Sequence, residues 1–447
     1  MAKAEPAMIL SAPIVPTLRK MTIPMIFGMI FLMLFNLVDT FFISMLGTEP
    51  LAAISFTFPV TFTLISLAIG LGIGTSAVIA TALGSGQQSQ ARFDGAVALM
   101  VSAFLVTILA LVGYFCSDPI FLLLGAEPQL LPLIDEYMQV WFLASVLLVT
   151  PMIGNAVLRA NGDTKTPSLI MGASGLVNAV LDPILIFGFG PIEAMGVRGA
   201  AIASAISWLI GVAAILYILI VHRQLIGIRC RTQSFVVATR KILKIGLPAA
   251  GANMLTPLAM AVMTAIVAHF GAPAVAAFGV GSRIESIASL VVLALSMTLP
   301  PFISQNFGAG NKDRVEQAYK QTLKFVMFWQ FAIYLLLIVV APWIAGAFAT
   351  EAQVRELIKL FIYILPLTYG LQGVIILTNS SFNALHKPMH ALVLSVVRLF
   401  VFYVPIAYLG SLIGDLTGLF IGAAVGNLLT AIVAYLWFSR ELERQTV

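Results

Sequence analysis

Residues 51–82 read LAAISFTFPVTFTLISLAIGLGIGTSAVIATA, thirty-two residues without one charged side chain. As an α-helix, at a rise of about 1.5 Å per residue, such a stretch outspans the ~30 Å hydrocarbon core of a bilayer. It is far longer than a barrel strand of about 10 residues. The chain therefore crosses the membrane as helices, which satisfy their own backbone polar groups. Similar apolar runs lie at 21–46, 95–117, 132–154, 167–189, 199–221, 243–270, 274–304, 321–346, 356–381, 390–412 and 416–439, which makes twelve spans in all. The composition of the 447 residues agrees: 60% are apolar and 10% charged, against about 25% charged in soluble domains.

The remaining segments are too short to hold a catalytic or nucleic-acid-binding domain. The net charge of +5 therefore concerns topology and not a nucleic-acid partner. Walker, HExxH and potassium-filter signatures are absent, and no GxSxG stands at a strand–helix turn, so neither ATP hydrolysis nor an enzyme is indicated. Two cysteines and four histidines are too few for a disulfide framework or a clustered metal centre, and no cofactor is expected.

Lysine and arginine orient the spans. With both termini in the cytoplasm, 19 of the 24 basic residues fall on the inner side and 3 on the outer side (Arg198, Arg355 and Lys359). Arg283 and Arg398 lie within spans. The N-terminal twenty residues read as a retained cytoplasmic segment and not as a cleaved signal peptide. Expected localisation is the cell inner membrane.

The basic stretch His222 to Lys244 looks like a linker, and the sequence repeats across it. A shift of 224 places Lys20 on Lys244, Pro24 on Pro248, Gly47 on Gly271, Gly84 and Gly86 on Gly308 and Gly310, and Asn155 on Asn379. Pro167 meets Pro388 at a shift of 221. Six spans per half is an even number, so both halves enter from the same side as a parallel repeat. The expected fold is an all-α membrane protein. An N-terminal lobe (1–221), a cytoplasmic linker (222–243) and a C-terminal lobe (244–447) would surround a central cleft whose halves rock between inward-open and outward-open states.

Asp39, Asp182 and Glu285 are the acidic residues placed inside spans. A carboxylate there costs about 2.5–3.5 kcal/mol on insertion scales, so it needs a partner or a task. Asn178 and Asp182 stand i, i+4 on one helix face, and Pro183 frees a backbone carbonyl one turn earlier. Such an oxygen-rich, locally broken helix suits a proton relay or a sodium site. Alternatively each acid is only an interhelical hydrogen-bonding group. Asp39 and Asp182 both lie in the first half, and Asp39 corresponds to Met263 in the second. Glu285 and Arg283 read first as packing partners of other helices. Pro24 and Pro248 sit near the starts of the first and seventh spans, as static kinks or as hinges. Gly70, Gly72 and Gly74 suit close helix packing.

Together these features resemble the multidrug and toxic compound extrusion (MATE) transporters over nearly the whole chain. Besides the span plan, Asp39 and the Asn178/Asp182-Pro183 run, the motifs are Gly84-Ser-Gly86, Gly308-Ala-Gly310-Asn311, Arg159-Ala-Asn-Gly162-Asp163-Thr164 and Gly196-Val-Arg-Gly199. Acids in the first lobe resemble the DinF-like branch. The resemblance implies antiport of cationic or amphipathic drugs against H⁺ or Na⁺. It implies a cation site at Asp39, Asn178 and Asp182, with Tyr137 and Asn155 in the same polar network and a hydroxyl from the sixth span, for which Ser204 is the candidate. It implies bending at Pro24. Small-molecule organic cations or amphipathic drugs and membrane lipid are the expected partners, with no nucleic acid, and a monomer is expected. The rival readings are a lipid-linked oligosaccharide flippase, which would need a more cationic cleft, and a channel.

Overall fold

A computed structural model describes residues 9–228 and 234–444 of the chain. The first eight residues and the middle of the linker, with Arg229 and Arg231, lie outside the described residues. The chain divides into two compact units, Arg19–Ala250 and Gly251–Val447, with Pro13–Leu18 joining the second.

The first unit contains most of α1 (Ile14–Ser44), then α2 (Thr48–Gly84), α3 (Gln88–Phe115), a short α4 (Ser117–Leu123), α5 (Leu131–Ala160), α6 (Lys165–Phe187) and α7 (Gly196–Leu216), which runs into a π-helical turn, Tyr217–His222. The fourth span, α5, is the centre of the unit and packs against α2, α3 and α7, while α6 packs on α7. Met138, Trp141 and Phe142 of α5 are buried in that core. α1 turns Phe27, Phe31, Leu34 and Phe41 outward, a helical-period stripe that suits a lipid boundary.

Helix α8 (Phe235–Ala268) starts eight residues before the expected seventh span, within the stretch read as linker. Its first half belongs to the first unit because of glycines. A Cβ added at Gly74 would lie 2.6 Å from the Ile242 carbonyl oxygen, and one at Gly70 would meet the Gly246 carbonyl and, at 2.5 Å, the Ala250 amide nitrogen. Gly70 and Gly74 are one turn apart on α2 and face Ile242, Gly246 and Ala250 on α8. Lipid offers no hydrophobic drive between helices, so close backbone approach of this kind supplies the attraction.

The second unit repeats the plan. α9 (Ala272–Ala288) and α10 (Leu290–Gly308) make the eighth span, α11 (Lys312–Phe348) the ninth, and α12 (Ala352–Ile364) with α13 (Tyr369–Ala384) the tenth. α14 (Pro388–Val396) continues as a π-helical segment, Val397–Tyr403, into α15 (Val404–Arg444). The tenth span is central here: α13 packs against α10, α11 and α15, and α12 packs against α9. Two expectations need refinement. The run 274–304 is broken at Ser289, and α15 reverses at Gly414 and Asp415, where φ is −139° and +51°. Across that reversal Gly410 meets Gly418, Gly422 meets Ile406, and Gly426 meets Tyr403, the mirror-image pairing of two antiparallel spans. Eleven helical stretches among the described residues are long and apolar enough to cross a membrane, the last of them Pro388–Arg444. Counting that doubled stretch as two and adding none for the α9–α10 break, the described residues hold twelve spans.

At one end of each unit an ion pair ties the last span to the loop between its fourth and fifth spans. Asp163 accepts hydrogen bonds from the Thr166 backbone N–H (3.0 Å) and hydroxyl (2.6 Å), closing the start of α6, and from Arg223 Nη2 at 3.2 Å. In the second unit Lys387 Nζ lies 3.0 Å from Glu441 Oε1, with His390 Nε2 at 3.9 Å from Oε2.

Candidate functional site

The site is built where α1 runs along α6. Small residues on α6 let α1 lie close: the Gly28 backbone approaches Ser168, Phe31 covers Gly172, and the Phe35 ring lies on the backbone of Gly175. One turn beyond Phe35 on α1 is Asp39. Two turns beyond Gly175 on α6 is Asp182. The packing therefore delivers the two carboxyls to one place, within hydrogen-bonding reach of each other. Asp182 is fully buried and Asp39 half-buried.

Asn178 lies one turn below Asp182. Its Nδ2 donates to Asp182 Oδ1 and to Ser204 Oγ of α7, each at 3.3 Å. Ala200, the other small residue on that face of α7, is buried in the cluster with Ile43 and Ile186 beside the site. Tyr137 of α5 packs on the same cluster and feels both carboxyls electrostatically. Asp39, Asn178, Asp182, Ser204 and Tyr137 are thus brought together from four helices. Asn155 is not. It is eighteen residues further along α5 than Tyr137, about 27 Å in an α-helix, where its buried Oδ1 has no partner among the described residues. Pro24 sits within α1, which is helical on both sides of it.

One oxygen on each acid, Asp39 Oδ1 and Asp182 Oδ2, is buried with no donor among the described residues. Two carboxyls facing each other are acceptors only when ionised. In a low-dielectric setting such a pair needs a shared proton or a bound cation between its oxygens. Around it stand the Asn178 amide, which turns its Nδ2 to Asp182 and Ser204, the Ser204 hydroxyl and the Tyr137 phenol; a small hard cation there would need the Asn178 side chain turned to offer its carbonyl oxygen.

A second polar centre lies within the second unit and was only half visible from sequence. Glu285 of α9, flagged as an acid inside a span, is close to Gln372 of α13 and feels Arg398 of the π-helical segment. Tyr369 and Tyr403 belong to the same group. Arg283, two residues from Glu285, is exposed.

The MatE family matches residues 24–184 and again 248–409. The two matches start 224 residues apart, the offset at which the sequence aligns with itself. The chain belongs to the MatE family of transporters. Among characterised members it is similar to the FAD transporter of Shewanella oneidensis, 43% identical over 428 residues covering 96% of this chain and 95% of that one. It is also similar to the multidrug export protein MepA of Staphylococcus aureus, 26% identical over 98% of this chain and 96% of the relative. Among solved structures, the Vibrio cholerae MATE transporter VcmN in its bent form superposes with a TM-score of 0.92 at 35% identity over 98% of both chains. A MOP superfamily transporter from Pyrococcus furiosus gives 0.91 at 27% identity over 99% of both. This MatE protein is therefore a multi-pass membrane transporter of small molecules, with the two-repeat helical architecture read from its sequence.

Proposed function

We propose that this protein is a secondary active exporter of the inner membrane, working as a monomer with both termini in the cytoplasm, and that the Asp39–Asp182 pair carries its coupling ion. The observation that carries this reading is that two neighbouring acids within the membrane-spanning helices, Asp39 and Asp182, each keep a buried carboxyl oxygen with no donor among the described residues. H⁺ fits the pair directly, since one proton converts two repelling acceptors into a hydrogen bond. Na⁺ at Asp39, Asn178 and Asp182 is the alternative coupling ion. Movement of α1 about Pro24 would open or close the pair, because Pro24 cannot donate to the preceding turn.

Two cargoes have separate support. FAD is favoured by the 43% identity to the Shewanella transporter. Cationic or amphipathic drugs are favoured by the more distant MepA similarity. The two make opposite electrical demands. Export of one organic cation for one H⁺ is electroneutral and draws only on the pH gradient, about 1.4 kcal/mol per unit. Export of a dianionic dinucleotide for one H⁺ moves three charges in the favoured direction, each worth about 2.3 kcal/mol per 100 mV.

The experiment is transport in proteoliposomes with an imposed pH gradient, without sodium, with and without a clamped potential. FAD efflux that accelerates with an inside-negative potential supports the first cargo, and potential-independent ethidium efflux the second. Asp39→Asn and Asp182→Asn should each abolish gradient-driven transport. Full transport by both variants would remove the coupling role, and movement that requires an inward sodium gradient would replace H⁺ with Na⁺.

A further inference from the structure

The polar centre of the second unit has the wrong chemistry for a second cation site. Tyr403 stands 221 residues after Asp182, the offset that relates Pro167 to Pro388. Where the first half has an acid, the second therefore has a phenol, and Arg398 lies beside it in the same π-helical segment, Val397–Tyr403. Such wide turns are rare and tend to occur at functional sites.

Arg398 is an arginine in the interior of a membrane-spanning unit with no carboxylate within 4 Å among the described residues, and its Nε is buried without a hydrogen-bond partner. The Tyr369 hydroxyl is also buried without a partner there. Glu285 feels the arginine but does not contact it, and lies instead by Gln372. A guanidinium of this kind is costly to keep in a membrane protein and marks a ligand path by default. Tyr403 is its neighbour in the same segment, and Glu285 links it to Tyr369 and Gln372, so every other polar side chain of this group can donate a hydrogen bond. Only Glu285 is a charged acceptor. An arginine fork matches the paired oxygens of a phosphate in a bidentate way.

We propose that Arg398, with Tyr369, Tyr403 and Gln372, forms an anion subsite that binds a phosphate of the cargo, and that Glu285 is its built-in competitor. The proposal rests on the reading of FAD, or a cargo of the same phosphoanhydride class, as the transported molecule. In the empty site Glu285 balances the charge of Arg398 at a distance. When phosphate oxygens reach the guanidinium, the orphaned Nε and the Tyr369 hydroxyl gain acceptors, and the nearby Glu285 charge opposes the incoming anion. Loss of the arginine and loss of the acid must therefore act in opposite directions, which a merely structural ion pair would not do.

The test uses the full-length protein purified in detergent, with FAD, riboflavin and inorganic pyrophosphate as probes. Direct binding is followed by flavin fluorescence and calorimetry. Arg398→Gln should weaken FAD binding about tenfold or more, the scale of one charged hydrogen-bonded contact, and leave riboflavin, which lacks phosphate, unchanged. Glu285→Gln should tighten FAD binding several-fold. Arg398→Lys, which keeps the charge but not the fork, should fall between, and it carries the comparison if Arg398→Gln fails to fold. Wild-type FAD affinity in Arg398→Gln, or equal weakening of FAD and riboflavin by both variants, would overturn the subsite and leave the cargo reading standing. Binding of pyrophosphate that depends on Arg398, in a protein that neither binds nor moves FAD, would overturn the cargo reading and leave the subsite. A wild-type protein that binds none of the three probes removes both.

Discussion

Three glycines spaced two apart on α2 should respond to alanine in opposite ways. At Gly70 the new methyl would lie 2.5 Å from the Ala250 amide nitrogen and 2.6 Å from the Ala250 Cβ, and at Gly74 2.6 Å from the Ile242 carbonyl oxygen. Ordinary contact needs 3.4–4 Å, and the atoms met are backbone that cannot rotate away. The helices must part by about 1 Å, and overpacking of this size costs about 1–3 kcal/mol. Against it stands the gain of about 1 kcal/mol from replacing glycine by alanine inside a helix. Gly70→Ala and Gly74→Ala should therefore lose up to about 2 kcal/mol net. At Gly72 the methyl would meet the Ala156 Cβ at 3.7 Å, a normal contact, so Gly72→Ala should keep the gain. At about 2–4 °C per kcal/mol for a unit of this size, the flanking variants should melt several degrees below Gly72→Ala in a thermal unfolding assay on purified protein. If Gly70→Ala melts with Gly72→Ala or above it, the packing of α2 on the first half of α8 is not what holds these helices together.

Other expected outcomes follow from the same geometry. Ser204→Ala removes the hydroxyl that accepts from Asn178 and should slow ion-driven transport a few-fold while leaving stability within about 0.5 kcal/mol; a loss as complete as that of Asp39→Asn would make Ser204 an essential ligand. Asn155→Ala, far from the carboxyl pair along α5, should leave the ion dependence of transport unchanged, and a shifted dependence would place it in the network after all. Asp163→Ala removes the turn that starts α6 together with the Arg223 pair and should cost about 1–3 kcal/mol, read as a lower melting temperature. Single cysteines at Glu49 and Asp415 should react with an impermeant thiol reagent from outside intact cells and one at Gln88 should not; the reverse pattern would overturn the charge-based orientation.

Most of the fold could be read from sequence because lipid imposes one solution on long apolar runs, and the 224-residue shift exposed the repeat. The break at Ser289 left no signal: no proline or glycine adjoins it, and it is flanked directly by apolar residues, Ile287-Ala288 before and Leu290-Val291-Val292 after. The early start of α8 was hidden for the opposite reason. Arg240, Lys241 and Lys244 look like a polar linker, but a helix can carry them at the membrane surface as readily as a loop can. In the site, Asp39 and Asp182 stood out because charge is rare in such surroundings, and Asn178 followed from its spacing to Asp182. Ser204 could only be suggested by family resemblance, since a serine within an apolar span carries no signal of its own. The same resemblance suggested Asn155, which the length of α5 separates from the acids. Arg398 was noted as a charge within a span, but its relation to Glu285 depends on how α9 and the π-helical segment fold together, and no periodicity encodes that.

The ion pairs Arg223–Asp163 and Lys387–Glu441 bear on how the chain is made. In each half the final span reaches back to a loop synthesised some 54–60 residues earlier, so each half fastens itself with residues at the end of its own sixth span. The first half can close before the second exists. The signs are opposite: the loop contributes the carboxylate in the first half and the ammonium in the second. A nascent half that captured the other's closing span would set Asp163 against Glu441, or Lys387 against Arg223, and like charges in contact oppose the match. The two halves repeat one plan, and this reversal of sign gives each loop a reason to accept only its own closing span.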